Sequence, residues 1–155
     1  MTHLTWQDIE KITDELAAKI TASGFVPDYI IGVCTGGLIP LYFLAKKLGN
    51  IKNILTVSAK SYDKDRKKDL QIVYVPEIDL SGKRVLLVDE IVETGDTLKQ
   101  ISELFDTKYK VGELKTAVLA VNTEKWKFKP DFYIVEEKGD WVVFPWEKAD
   151  FPEYF

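Results

Sequence analysis

Three acidic residues and a turn of small polar residues follow the most apolar run in the chain. The letters VLLV at residues 85–88 lead directly into Asp89 and Glu90, and IVETGDT follows at 91–97. In an open parallel sheet, ligands bind at the carboxyl ends of the strands. Because carboxylates accept hydrogen bonds from sugar hydroxyls and bind Mg²⁺, Asp89 and Glu90 are candidates for either partner.

The turn Thr-Gly-Asp-Thr at 94–97 stands just before a predicted helix. Free backbone N–H groups, two hydroxyls and the positive end of the helix dipole would meet there, which favours a phosphate. The whole stretch thus indicates a site for a phosphorylated, hydroxylated sugar. On composition alone, the same acids could instead begin a solvated loop and cap a helix.

Strands and helices alternate along the chain. Apolar residues at helical spacing predict a helix over 5–23, with Thr5 as its N-cap and Asp8 completing a weak form of the capping box. Further helices are predicted at 38–48 and from residue 98 to 105. Strands are predicted at 29–33, 54–59, 70–75, 85–88, 115–121 and 131–135. This order predicts an α/β fold with an open, mostly parallel, twisted sheet flanked by helices.

Two segments carry no periodic pattern. Residues 60–69 are mostly charged and predict a mobile loop, while the tail at 147–155 favours neither helix nor strand.

The composition narrows the classes of function. A chain of 155 residues with net charge −4 predicts one domain without the basic surface that non-specific nucleic-acid binding needs. One cysteine and one histidine exclude an intramolecular disulfide and a Cys/His zinc cluster. No apolar run reaches the roughly 18 residues of a membrane span, and the first residues lack a signal-peptide pattern. We therefore expect a cytoplasmic enzyme or binding domain.

Four segments together resemble one family. The stretch at 85–97 resembles the phosphoribosyl-diphosphate signature of type I phosphoribosyltransferases, and IGVCTGGLIP at 31–40 is similar to the diphosphate loop of that family. Ser-Tyr-Asp at 61–63 is similar to the hood loop of the 6-oxopurine branch, as 129–132 and 140–147 are to its purine-binding part. The resemblance spans roughly residues 28–147 in the order of the family.

This resemblance implies a fold and an activity. The fold would be that of a type I phosphoribosyltransferase, a single domain over 1–155 with a small hood loop at about 60–69 and a base-binding C-terminal part at about 122–155. The activity would be transfer of a 5-phosphoribosyl group from Mg²⁺-bound phosphoribosyl diphosphate to a 6-oxopurine, with release of diphosphate. Relatives are generally dimers or tetramers, which implies a homodimer or homotetramer.

The resemblance also implies roles for the residues that hold the donor. Asp89 and Glu90 would bind the ribose hydroxyls directly or through the metal, with Glu147 as a further metal contact or else a surface acid. The residues that surround the 5-phosphate would be Glu93, Thr94, Gly95, Asp96 and Thr97. The residues that approach the diphosphate would be Thr35, Gly36 and Gly37, although many relatives carry Arg or Lys in place of Thr35.

Catalytic and base-binding roles follow from the same resemblance. Glu93 would take the proton from purine N7, and Ser61 and Tyr62 would close over the reacting centre. Trp141 would stack on the purine and Val142 would offer backbone groups to its edge. Asn122 falls where the 6-oxopurine branch has a lysine that donates a hydrogen bond to O6 of the purine. Lys125 could take the place of that lysine if its loop folds back.

Asn122 leaves two alternatives open. The protein could act on another base, adenine or a non-purine, or it could be a non-catalytic sensor of phosphoribosyl diphosphate or nucleotides. Glu93 and the pair Ser61 and Tyr62 favour an enzyme, because a sensor needs neither a proton acceptor nor a closing lid.

Overall fold

The described part of the chain, in a computed structural model, comprises residues 1–64 and 67–155, with side chains for 1–60 and 70–155. The strands are β1 (Thr2–His3), β2 (Tyr29–Cys34), β3 (Ile54–Lys64), β4 (Lys67–Tyr74), β5 (Arg84–Val92), β6 (Glu113–Asn122), β7 (Val135–Glu137) and β8 (Val142–Val143). The α-helices are α1 (Trp6–Ala22), α2 (Leu38–Lys47) and α3 (Asp96–Thr107), and two 3₁₀ turns lie at Glu147–Ala149 and Pro152–Tyr154.

Six of these strands form the main sheet, in the order β4-β3-β2-β5-β6-β7. All neighbours are parallel except β3 and β4, which are antiparallel. The chain builds outward from β2 to β4 and then returns to place β5 on the other side of β2. This reversal creates a topological switch point between β2 and β5, where ligands bind in open α/β sheets. The predicted α/β fold is confirmed.

The apolar run of β5 is buried because helices cover both faces of the sheet. Leu86 and Val88 pack in the core beneath α1 and α2, while Val85 and Leu87 pack in the core beneath α3. A strand covered on both faces reads as a continuous apolar run rather than an alternating one.

The first helix begins where local chemistry predicts. The Thr5 hydroxyl accepts a hydrogen bond from the Asp8 amide at 3.1 Å, and the Asp8 carboxylate accepts one from the Thr5 amide at 2.7 Å. Such a cap contributes about 1 kcal/mol. Ile9, Leu16 and Ile20 then face the sheet and are fully buried.

Strand β5 is longer than its apolar run predicts. Its pairing with β2 ends at Val88, but its pairing with β6 continues from Asp89 to Val92. Asp89 and Glu90 therefore lie inside the strand, at the point where β2 and β5 part.

The segment 60–69 departs from the predicted loop. Residues 60–64 belong to β3 and residues 67–69 to β4, and the two strands pair as a hairpin with Lys64 opposite Lys67. Residues 65 and 66 lie outside the description. Backbone pairing needs no apolar side chain, so a charged hairpin end shows no strand period in its sequence.

The C-terminal part also differs from expectation. The strand predicted at 131–135 begins at Val135, and Phe132 makes only an isolated bridge to Ala117. Shortly before the tail, Val142–Val143 form a strand by pairing with Thr2–His3. Because these two strands come from opposite ends of the chain, neither has a pattern in its own sequence that predicts the pairing. No helix in the described part of the chain has both the length and the apolar composition to span a bilayer.

Candidate active site

The loop after β2 packs against β5 through two consecutive glycines. The Gly37 amide donates to Val33 O at 2.8 Å, and a Cβ at Gly37 would lie 2.6 Å from Val33 O and 2.7 Å from Val88 O. A Cβ at Gly36 would overlap the carboxyl group of Glu90. Gly37 thus serves close packing of β2 on β5, while Gly36 leaves room for an acid beside the loop. Thr35 is exposed at the loop surface.

Asp89 and Glu90 form a buried acidic pair. Asp89 Oδ1 accepts from the Glu90 amide at 2.9 Å. Glu90 Oε2 is buried and has no hydrogen-bond partner among the described residues. Burial, reinforced by the hydrogen bond and charge of Glu90, raises the pKa of Asp89 well above its usual 3.8. An unpartnered oxygen in such a pair fits a hydroxyl donor or a hard cation.

We expect Asp89→Asn to stabilise the free protein at neutral pH. Because the pKa of Asp89 is higher in the folded state, its stability contribution is present below about pH 3.8 and is lost as pH rises through the folded-state value. The amide keeps the acceptor for Glu90 N–H and removes the charge, so the free energy of unfolding should rise by about 1–3 kcal/mol at pH 7.5.

Denaturant unfolding at pH 4 and pH 7.5 measures this effect. The gain from Asp89→Asn should be larger at pH 7.5, and exposed Asp106→Asn serves as the control with little change at either pH. An equal or greater gain at pH 4 would contradict a raised pKa for Asp89.

Residues 93–97 form a cradle at the start of α3. Gly95 has φ 88°, and a Cβ there would lie 2.6 Å from the Phe128 side chain, so glycine alone fits both the backbone and the space. The Asp96 amide donates to Thr94 Oγ1 at 3.3 Å, and the first helical bond runs from Lys99 N to Gly95 O at 2.9 Å. The amides of Thr97 and Leu98 therefore have no hydrogen-bond acceptor within the helix, which suits them to bind an anion.

This cradle encloses a cavity of about 210 Å³. Its walls are Asp89, Glu90, Ile91, Val92, Glu93, Thr94, Gly95, Asp96, Thr97 and Leu98. The acids and the helix start thus line one cavity, and their ribose and phosphate roles stay predictions.

A larger cavity of about 680 Å³ adjoins the cradle. It is lined by Leu70, Glu90, Ile91, Glu93, Thr94, Asp96, Thr97, Gln100, Lys125, Trp141, Val142, Phe144 and Glu147. Within it, Lys125 Nζ donates to Glu93 Oε2 at 3.4 Å. The carboxylate of Glu93 and the ammonium of Lys125 are thus in contact within the wall of this cavity.

Trp141 and Val142 both line the larger cavity, but Trp141 is exposed and Val142 is buried. Trp141 is 45% exposed, so it is not a core residue, and its ring packs edge-to-face with that of Phe151 at 6.0 Å between centroids. Val142 is buried on β8. The residues on either side of Val142 turn their carbonyl groups toward β1, since Trp141 O accepts from Thr2 N and Val143 O accepts from Leu4 N. Because backbone polar groups alternate along a strand, those of Val142 point away from β1.

Asn122 does not lie in the cavity wall, contrary to the role implied for it. It is 1% exposed, and its Oδ1 accepts from the amides of Glu124 at 3.2 Å and Gly139 at 3.1 Å. The turn after β6 instead brings Lys125 to the cavity. The sequence shows a lysine three residues beyond the expected position but not the direction in which its turn folds.

Glu147 faces the larger cavity without completing a metal cluster. Its Oε2 accepts from the Phe144 amide at 2.8 Å, and its pKa is raised by burial, with smaller contributions from Glu90 and Asp150. Among the side chains of 1–60 and 70–155, no three from His, Cys, Asp or Glu form a group able to hold a metal ion. Two carboxylates suffice for Mg²⁺ when substrate phosphates supply further ligands.

Two predicted residues have side chains outside the described part of the chain, and the prediction omitted some residues of the cavity wall. The side chains of Ser61 and Tyr62 fall outside the described ones, although their backbones pair with Leu70 and Asp69 on β4. Sequence reasoning missed four wall residues of the larger cavity, which are Leu70, Ile91, Gln100 and Phe144. Gln100 had a signal, since it lies one helical turn after Thr97.

Comparison with known proteins extends over nearly the whole chain. A model of the phosphoribosyl transferase domain family matches residues 3–150. The xanthine-guanine phosphoribosyltransferase of Vibrio atlanticus is 31% identical over 153 residues, 94% of this chain and 88% of the relative. That of Cereibacter sphaeroides is 28% identical over 157 residues, 95% and 87% of the two chains. The solved purine phosphoribosyltransferase of Pyrococcus horikoshii superposes with a TM-score of 0.83 at 35% identity, covering 94% of this chain and 92% of that one.

Proposed function

Because the chain belongs to the phosphoribosyl transferase domain family, we propose that it transfers a 5-phosphoribosyl group from phosphoribosyl diphosphate to a 6-oxopurine, yielding the nucleoside monophosphate and diphosphate. One observation supports this most directly. The phosphate cradle and the larger cavity share part of their walls, namely Glu90, Ile91, Glu93, Thr94, Asp96 and Thr97. A ribose held at this shared wall would have its 5-phosphate on one side and a base on the other.

The donor end of the reaction would use fixed backbone and buried acids. The amides at the start of α3 would bind the 5-phosphate, and Asp89 and Glu90 would accept from the ribose hydroxyls. Asp89 and Glu90 would also hold Mg²⁺, which would supply positive charge to offset the negative charge of the diphosphate. Positive charge developing on the sugar ring would be stabilised by the nearby carboxylates, which are in place before the reaction begins.

The base end would orient the purine for attack. Trp141 would stack on the ring face, Val142 would bond its edge, and Lys125 would donate to the carbonyl oxygen O6, since an ammonium offers three donors and no acceptor. Glu93 would accept the N7 proton as the bond to the sugar forms. Closure of Ser61 and Tyr62 over the reacting atoms, which would exclude water, rests on the family resemblance alone.

A panel of bases tests the proposal. Purified protein is incubated with phosphoribosyl diphosphate, Mg²⁺ and hypoxanthine, guanine, xanthine, adenine or uracil, and nucleotide and diphosphate are measured. We expect turnover with at least one 6-oxopurine. Turnover with adenine or uracil alone would assign a different base, and tight donor binding without turnover would make the protein a sensor.

Lys125→Met is expected to raise the KM for the purine by about 10–100-fold, the effect of losing one hydrogen bond from a charged donor. The change should leave the KM for phosphoribosyl diphosphate within about 3-fold, because Lys125 lines only the larger cavity. Steady-state kinetics with each substrate varied in turn measure both constants. Lys127→Met, an exposed lysine outside the cavity walls, is the matched control. An unchanged purine KM would show that Lys125 does not contact the base.

Two expectations of the sequence stay predictions. They are the homodimer or homotetramer, which analytical ultracentrifugation of the purified chain would measure, and the cytoplasmic location.

A further inference from the structure

Asn122 stands at the junction of two turns that flank the base cavity. It ends β6, and its main-chain O accepts from the amides of Lys125 at 3.2 Å and Trp126 at 3.1 Å. Its side-chain Oδ1 accepts from Glu124 N within the same turn and from Gly139 N in the turn after β7. One buried residue thus organises the first turn and joins it to the second.

Each of these turns carries one wall of the cavity. The first presents Lys125, and the second leads within two residues to Trp141. The turns are in close contact, since Thr123 N donates to Glu137 O at 2.8 Å and a Cβ at Gly139 would overlap the Glu124 carboxylate. The spacing of the turns therefore sets the spacing of Lys125 and Trp141.

The segment that carries Trp141 is held from two sides. On one side, β1 binds it through Thr2 N to Trp141 O at 2.8 Å and Leu4 N to Val143 O at 2.9 Å. On the other side, Asn122 binds it through the Gly139 amide. The bond from Gly139 N to Asn122, together with the bonds from Thr123 N and Oγ1 to Glu137 O at 2.8 and 3.2 Å, ties the segment of Trp141 to the turn that carries Lys125.

We propose that Asn122 is a positioning residue that sets the separation of Lys125 and Trp141, and thereby the affinity for the purine, without touching the base. This inference rests on the proposed function, in which both side chains bind the base. A lysine at this position could not do the same, because it has no acceptor for the two amides and its charge would be buried. The residue implied by the family resemblance and the residue present here thus perform different tasks.

Two variants that keep the branched side-chain skeleton of asparagine separate the acceptor from the packing. Asn122→Leu removes both bonds to Oδ1, while Asn122→Asp keeps an acceptor for each amide. We expect Asn122→Leu to raise the KM for the purine by about 10-fold and to leave kcat at saturating purine and the KM for phosphoribosyl diphosphate within about 3-fold. Asn122→Asp should keep the purine KM closer to that of the parent protein than Asn122→Leu does, although burial of its carboxyl group should lower the free energy of unfolding.

Amide hydrogen exchange provides a readout that does not depend on activity. In Asn122→Leu, the amides of Glu124 and Gly139 should exchange about 10-fold faster, while the amide of Leu119, deep in β6, should not change. If the parent protein has no purine activity, the proposed function fails, yet this exchange still tests whether Asn122 holds the two turns. If Asn122→Leu is not recovered folded, Asn122→Ala carries the same expectations.

Three results would overturn the inference. The first is an unchanged purine KM in Asn122→Leu, even with faster exchange, because the turns would then not set the base site. The second is an equal loss in Asn122→Asp and Asn122→Leu, which would assign the effect to packing. The third is a parallel loss in kcat and in both KM values, which would indicate general destabilisation.

Discussion

Glu93→Gln is expected to lower turnover by about 10²–10³-fold, the usual contribution of a positioned general base. The amide keeps the shape of the side chain and its reach into the cavity but cannot accept a proton at neutral pH. Affinity for phosphoribosyl diphosphate should stay within about 3-fold, because the phosphate cradle depends on backbone amides of α3 and not on this carboxylate.

The fold should tolerate this change, which makes the loss of activity interpretable. The only described ion pair of Glu93 is the 3.4 Å contact with Lys125, and both side chains are more than a third exposed. Exposed pairs contribute about 0–1 kcal/mol, so the free energy of unfolding should move by less than that. Single-turnover kinetics and donor binding by calorimetry measure the two effects.

Glu103→Gln, an exposed glutamate on α3, is the matched control and should have normal turnover. Near-normal turnover in Glu93→Gln would contradict its role as the proton acceptor.

Gly37→Ala is expected to lower the free energy of unfolding by about 3 kcal/mol or more, at the upper end of overpacking effects. The new Cβ would meet three backbone atoms at 2.6–2.8 Å: O and N of Val33 and O of Val88. Those atoms belong to β2 and β5, the two strands that border the switch point. They cannot move apart without loss of the sheet at the site.

Gly36→Ala, one residue earlier, should instead change the KM for phosphoribosyl diphosphate more than the free energy of unfolding. Its Cβ would displace only the carboxyl end of Glu90, a side chain that can rotate. We expect the free energy of unfolding to stay within about 1 kcal/mol, while the KM for phosphoribosyl diphosphate rises by about 10-fold, because a displaced Glu90 cannot bind the ribose or the metal. Denaturant unfolding and donor kinetics on both variants measure this contrast. Equal destabilisation by the two substitutions would contradict it.

Much of the fold could be predicted from local patterns. The helix α1 has a cap, Thr5 and Asp8, and an apolar stripe that depend only on residues within a few positions of each other. The apolar run of β5 marks a strand covered on both faces for an equally local reason. By contrast, β8 exists because residues 142 and 143 pair with residues 2 and 3. Pairing across the whole chain cannot be read from either segment.

The candidate site divides in the same way. The motif at 89–97 and the glycines after β2 predicted one end of it, because a strand, a tight turn and a helix start are consecutive in the chain. The base end was harder, since its walls come from the turns after β6 and β7, from α3 and from β4. Alignment by spacing pointed to Asn122, but a change in the path of one turn exchanges which side chain reaches the cavity.

The sequence by itself determined the family, the α/β order of elements and the segment that forms the cradle, because these depend on contiguous segments whose geometry is nearly independent of context. Only the tertiary structure decided that Lys125 faces Glu93, that Asn122 is buried between two turns, and that Gly36 and Gly37 face different neighbours. These depend on where distant segments meet, and a difference of one residue in a turn changes which atoms are in contact.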